Sequence, residues 1–78
     1  MQDGKPVYGV FLFHTNSAAL RSEKVLLRDG LNIKLIPTPR EFSSDCGVAL
    51  RFDWSDKTRA SELLESARVE FAAIHAIK

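Results

Sequence analysis

The run Val7-Tyr8-Gly9-Val10-Phe11-Leu12-Phe13 is apolar without a break. A strand with one wet face alternates apolar and polar residues, whereas a strand covered on both faces does not need to. This run therefore predicts a central strand, and the rest of the chain has to supply both covers. With 78 residues, the chain makes one domain, which buries only about 60% of its unfolded surface. Residues 1–6, Met-Gln-Asp-Gly-Lys-Pro, read as a flexible tail ahead of it.

His14-Thr15-Asn16-Ser17 supplies turn and N-cap residues. A helix is predicted from about Ser17 to Asp29, with Ala19, Leu20, Val25, Leu26 and Leu27 facing inward. Gly30 suits the left-handed position after the helix, with Leu31 packing back on its last turn. Asn32 to Ile36 reads as a short strand, ended by Pro37-Thr38-Pro39 because proline donates no ladder hydrogen bond. Arg40 to Asp45 continues the loop, and Gly47 to Phe52 is the third strand. Ser55 is the expected cap of a second helix, in which Ala60, Leu63, Leu64 and Ala67 follow the spacing of one buried stripe. Val69 to Ile77 is the last strand.

The order is βαββαβ. It fits an α+β ferredoxin-like two-layer sandwich, an antiparallel sheet with both helices on one face. In that topology strands one and three are antiparallel neighbours. The end of strand one near His14, the start of helix one and the start of strand three near Cys46 then share one end of the sheet.

The chain has 11 basic and 10 acidic residues, without the basic stripe of an electrostatic nucleic-acid binder. The third strand, Gly-Val-Ala-Leu-Arg-Phe, lacks the spaced aromatics of an RNA-binding sheet. No apolar run approaches the roughly 20 residues of a membrane span, and no secretion signal is read at the start. One cysteine and two histidines make neither an intrachain disulfide nor a spaced zinc site. No motif for a cofactor is present. A lone free thiol fits a reducing cytoplasm.

That thiol, Cys46, lies in Ser43-Ser44-Asp45-Cys46-Gly47. Small polar residues and a glycine are loop chemistry, and they argue against the alternative of a small buried hydrophobe. Thiol chemistry runs through the thiolate, a few per cent of an ordinary cysteine near pH 7. The helix N-terminus and the nearby Arg40 and Arg51 would favour that form, and Asp45 would oppose it. Gly47 would leave the sulfur open to a partner. His14 is a candidate proton shuttle if the strand pairing holds, and otherwise a polar strand-end residue. Pro37-Thr38-Pro39-Arg40 reads as a stiff loop that presents a guanidinium to an anion or a partner carboxylate, or simply to water. His75 reads as a surface or interface residue.

Four stretches together resemble the DUF3343 family of small bacterial selenium/sulfur carrier-like proteins. They are Val10-Phe11-Leu12-Phe13-His14, Ala19 to Leu26, Leu35-Ile36-Pro37-Thr38-Pro39-Arg40-Glu41, and Ser43-Ser44-Asp45-Cys46-Gly47-Val48-Ala49-Leu50-Arg51-Phe52. The resemblance implies that Cys46 holds sulfur or selenium, and that the partners are donor and acceptor proteins. The Cys-Pro pair of the better-known sulfur-relay carriers is replaced here by Cys46-Gly47, so their detailed mechanism is not carried over.

Two functions follow. The first is a carrier that holds sulfur or selenium on Cys46 as a persulfide or selenosulfide, with Arg40, Asp45, Gly47 and Arg51 as binding residues around it. The second is a non-catalytic binding module with a structural Cys46, pairing as a homodimer through a sheet face left apolar by Tyr8, Phe11 or Phe13, Phe52, Phe71 and Ile74. Either is a carrier or binding protein rather than an independent enzyme, because no base, metal set or cofactor loop completes a site.

Overall fold

A computed structural model of the chain describes residues 7–42 and 47–77. The expected tail 1–6 and the segment 43–46, with Asp45 and Cys46, lie outside the described residues. The elements run β1 (Tyr8–Leu12), α1 (Asn16–Arg28), β2 (Ile33–Pro37), β3 (Val48–Asp53), α2 (Lys57–Ser66) and β4 (Ala73–Ile77). The strands form one antiparallel sheet in the order β2-β3-β1-β4. This is the expected ferredoxin-like arrangement.

β1 sits between β3 and β4, and Gly9 to Phe13 are all buried. On the helix side Phe11, Phe13, Leu50 and Phe52 pack with Ala19 and Leu26 of α1 and Ala60 and Leu64 of α2. The Phe11 ring lies 4.7 Å from that of Phe52 and 4.9 Å from that of Phe71. Gly9 permits this packing, because a Cβ there would sit 2.6 Å from both the Phe52 and the Trp54 rings.

Both helices end in the same device. The Gly30 N–H donates to the Leu27 carbonyl (2.9 Å) and the Leu31 N–H to the Leu26 carbonyl (3.1 Å), with Gly30 at φ 82°. At the end of α2 the Arg68 N–H donates to Glu65 and the Val69 N–H to Leu64, and Arg68 takes the left-handed conformation at φ 58°. These are Schellman motifs, in which the residue after the turn packs back on the helix.

Several expected boundaries and contacts differ. α1 starts one residue earlier, with Thr15 as its cap: the Thr15 Oγ1 accepts from the Ala18 N–H at 3.1 Å. Leu20 and Leu27 do not face inward and are 51% and 53% exposed. The buried stripe runs through Ala19, Ser22 and Leu26, and Ser22 is satisfied by donating its hydroxyl to the Ala18 carbonyl (2.8 Å). Ser55 does not cap α2; it lies in a short 3₁₀ turn, Trp54–Asp56, that leads into the helix. β4 begins at Ala73 rather than Val69, because Val69 closes the Schellman turn and is buried. β2 includes Pro37, which an edge strand tolerates since no neighbour needs its missing donor.

Of the residues expected to make the second sheet face apolar, Tyr8 shares that face with Val10 and Leu12, and the others do not. Phe11, Phe13, Phe52, Phe71 and Ile74 belong to the helix-side core. The other face carries Val10, Leu12 and Ala49, all buried, with Ile36, Phe42, Ala73 and Ile77 packed against them. Phe42 comes from the β2–β3 connection, and its ring stacks on that of His75 in β4, 4.2 Å away and 8° from parallel. The connection thus reaches from one edge strand to the other, and it supplies the second cover that the unbroken apolar run required.

Candidate functional site

Pairing in the sheet decides which loops meet. Leu12 of β1 is opposite Ala49 of β3 and Ala73 of β4, and Ala49 is opposite Ile36 of β2. Three connections therefore gather at this sheet end: β1 to α1, β2 to β3, and α2 to β4. The β2–β3 ladder extends one step further, with the Thr38 N–H donating to the Gly47 carbonyl (3.1 Å). Continuing the β1–β3 register by two positions sets His14 across from Gly47, the residue that follows Cys46.

His14 is exposed and immediately precedes the Thr15 cap. The N-terminus of α1, with its partial positive charge, therefore opens at this end, as the topology predicts. Gly47 is exposed, and a Cβ on it would meet nothing within 4 Å. Among the described residues, nothing crowds that side of Gly47 at the start of β3.

The stiff loop has a defined tip. The Phe42 N–H donates to the Pro39 carbonyl (3.0 Å), closing a turn with Arg40 and Glu41 at its corners, both exposed. Phe42 then turns back onto the sheet. Arg40 meets no carboxylate among the described residues.

Arg51 is placed differently from the expectation. Its guanidinium carbon lies 4.4 Å from the centroid of the Tyr8 ring, and Tyr8 is at the opposite end of β1 from Leu12. The structure brings Arg51 to Tyr8, not to His14. Sequence reasoning also missed the Phe42–His75 stack. Its signal was available: Phe42 is an aromatic residue in an otherwise polar loop.

The α2–β4 connection adds an open pocket lined by Glu65, Arg68, Val69, Glu70 and Phe71. Among the described residues, no group of three or more His, Cys, Asp or Glu could hold a metal ion. No helix among them is long and apolar enough to cross a membrane.

The family described as "putative Se/S carrier protein-like" matches residues 8–76. The chain belongs to that family. The match runs from the first residue of β1 to the penultimate residue of β4, so membership in this Se/S carrier-like family takes in the whole sheet and both helices. No curated protein and no solved structure matches the chain.

Proposed function

We propose that the protein carries sulfur or selenium on the thiol of Cys46. The thiolate attacks the terminal sulfane sulfur of a donor persulfide, R–S–SH. A new S–S bond forms to Cys46 as the donor's S–S bond breaks. The donor leaves as its thiolate, and Cys46 holds a persulfide with no net change of oxidation state. An acceptor thiolate then takes the terminal atom by the same displacement. With selenium as the terminal atom the bookkeeping is identical and the carried species is a selenosulfide. A single cysteine suits a carrier, because the chain has no second thiol to resolve the adduct.

The observation that carries this reading is the family match over 8–76. The register supports it: the residue next to Cys46 is exposed, crowded by nothing among the described residues, at the sheet end where α1 begins. Electrostatic help from a helix terminus is worth roughly 0.3–1 kcal/mol, which shifts a thiol by a fraction of a pKa unit. Cys46 therefore works as a modestly activated thiol that relies on the donor's reactivity. On this reading His14 is the candidate to move a proton there.

Intact-mass measurement after incubation with a cysteine desulfurase and cysteine tests the carrier step. The expected result is a gain of one sulfur atom, lost on thiol reduction and absent in Cys46→Ser. No gain under conditions that load a known carrier overturns the proposal. Full biological activity of Cys46→Ser would do so too, and would leave a binding role.

A further inference from the structure

We infer that the second sheet face, around Lys34 and Arg51, docks an acidic, extended segment of a partner protein. Lys34 of β2 and Arg51 of β3 are direct cross-strand partners. Strand residues alternate between faces. Both therefore lie on the face of Ile36 and Ala49, away from the helices. Like charges placed directly opposite each other destabilise a strand pair. Here the pair is not neutralised: neither residue meets a carboxylate among the described residues. Asp53, the nearest acid on that face of β3, accepts a hydrogen bond from the Asn32 amide (3.5 Å) instead.

Arg51 is also held in place. Its guanidinium stacks on Tyr8, which orients the planar group and lowers the entropy lost on binding a carboxylate. Lys34 is exposed and sits on an edge strand. An extended segment can pair along such an edge, with alternate side chains turned onto the face.

The aromatic faces here are already used. Tyr8 is covered by Arg51, and Phe42 is stacked on His75. Among the described residues of this face, both rings already carry a stacking partner, which does not favour nucleic-acid bases. Two adjacent cations, one on the edge strand β2 and one on its inner neighbour β3, fit carboxylates spaced along an extended peptide. The patch lies four residues along β3 from Gly47, about 13 Å at 3.3 Å per residue. A partner seated on it and extending along β3 comes to Gly47, the residue after Cys46 in the sequence.

The docking surface stands apart from the thiol chemistry, and one experiment separates them. A fluorescein-labelled peptide of alternating Glu and Val is titrated with the protein by fluorescence polarisation, at low salt and at about 0.15 M. Binding that weakens with salt is expected. Lys34→Gln with Arg51→Gln should weaken it about tenfold, two charge contacts being lost. Lys24→Gln with Arg28→Gln, the same charge removed from the outer surface of α1, should leave it unchanged. Cys46→Ser should bind like wild type even if sulfur loading fails, so the two proposals fail separately.

The inference is overturned by absence of binding, by equal loss in both double variants, or by equal binding of an alternating Lys and Val peptide. Equal competition by a thymidine oligonucleotide or by inorganic phosphate also overturns it. NMR of the wild-type protein removes dependence on variant folding: peptide must shift the amides of Lys34 and Arg51, and shifts confined elsewhere reject the site.

Discussion

Arg68 is the one described residue other than glycine with a positive φ. A side chain in the left-handed region costs roughly 1 kcal/mol, because Cβ crowds the following carbonyl oxygen. Gly30 holds the equivalent place after α1 at no such cost. Arg68→Gly relieves the crowding but adds freedom to the unfolded chain. The net expectation is stabilisation of about 0.5 kcal/mol, read as a higher urea midpoint with an unchanged slope. The reverse logic applies at Gly9. There a new methyl would meet two aromatic rings at 2.6 Å, the buried Phe52 and the half-buried Trp54 packed against it. Gly9→Ala should destabilise by about 1–3 kcal/mol, as overpacked cores do. A Gly9→Ala protein as stable as wild type would mean that Phe52 and Trp54 can slide, against the packing described above.

At the scale of elements, α1 and the β2–β3 connection were the hardest to read. The leucines at 20 and 27 drew the predicted helix face toward themselves, while the true stripe passes through Ser22, whose hydroxyl is hidden by bonding to the Ala18 carbonyl. Periodicity counts apolar residues and cannot see a polar group satisfied by its own helix. The connection read as a stiff loop presenting Arg40, and Arg40 stands at a corner of the turn closed by the Phe42 N–H and the Pro39 carbonyl. Its role as a cover was not legible, because the partner of Phe42 is His75, distant in sequence and on the far edge strand. The stack makes a testable coupling. Phe42→Ala removes an aromatic cover from Val10, Leu12 and Ala49, and His75→Ala removes its partner. A double-mutant cycle in urea should give a coupling energy of about 0.5–1.5 kcal/mol, the range of aromatic pairs. Additive losses would mean that the loop covers the sheet without the stack. The same cycle bears on the candidate site, since Phe42 begins the stretch that leads to Cys46.

For the molecule as a whole, the unbroken run of β1 and the alternation of strand and helix signals were enough to give the topology. With it came the meeting of the end of β1, the start of α1 and the start of β3 at one sheet end. What the sequence reading misassigned was which apolar residues belong to which face: Phe52, Phe71 and Ile74 were expected on the open one and pack under the helices. A central strand is apolar on both sides, so its pattern cannot tell them apart. The structure settles it by register: Phe11 and Phe13 go to the helices, and Val10 and Leu12 go under the loop. Phe11 is then the hub of the larger cluster, fully buried and in ring contact with Phe52 and Phe71. Stability of roughly 0.05–0.15 kcal/mol per residue gives a chain of this size about 4–12 kcal/mol in all. Truncating a buried phenylalanine costs about 3–5 kcal/mol. Phe11→Ala should therefore remove at least about a quarter of the domain's stability, read as sharply reduced urea resistance. A Phe11→Ala protein that keeps its dispersed spectrum and loses under 1 kcal/mol would show that the two faces share the load more evenly than their ring contacts imply. It would then fall to the Phe42-covered face to hold the sheet together.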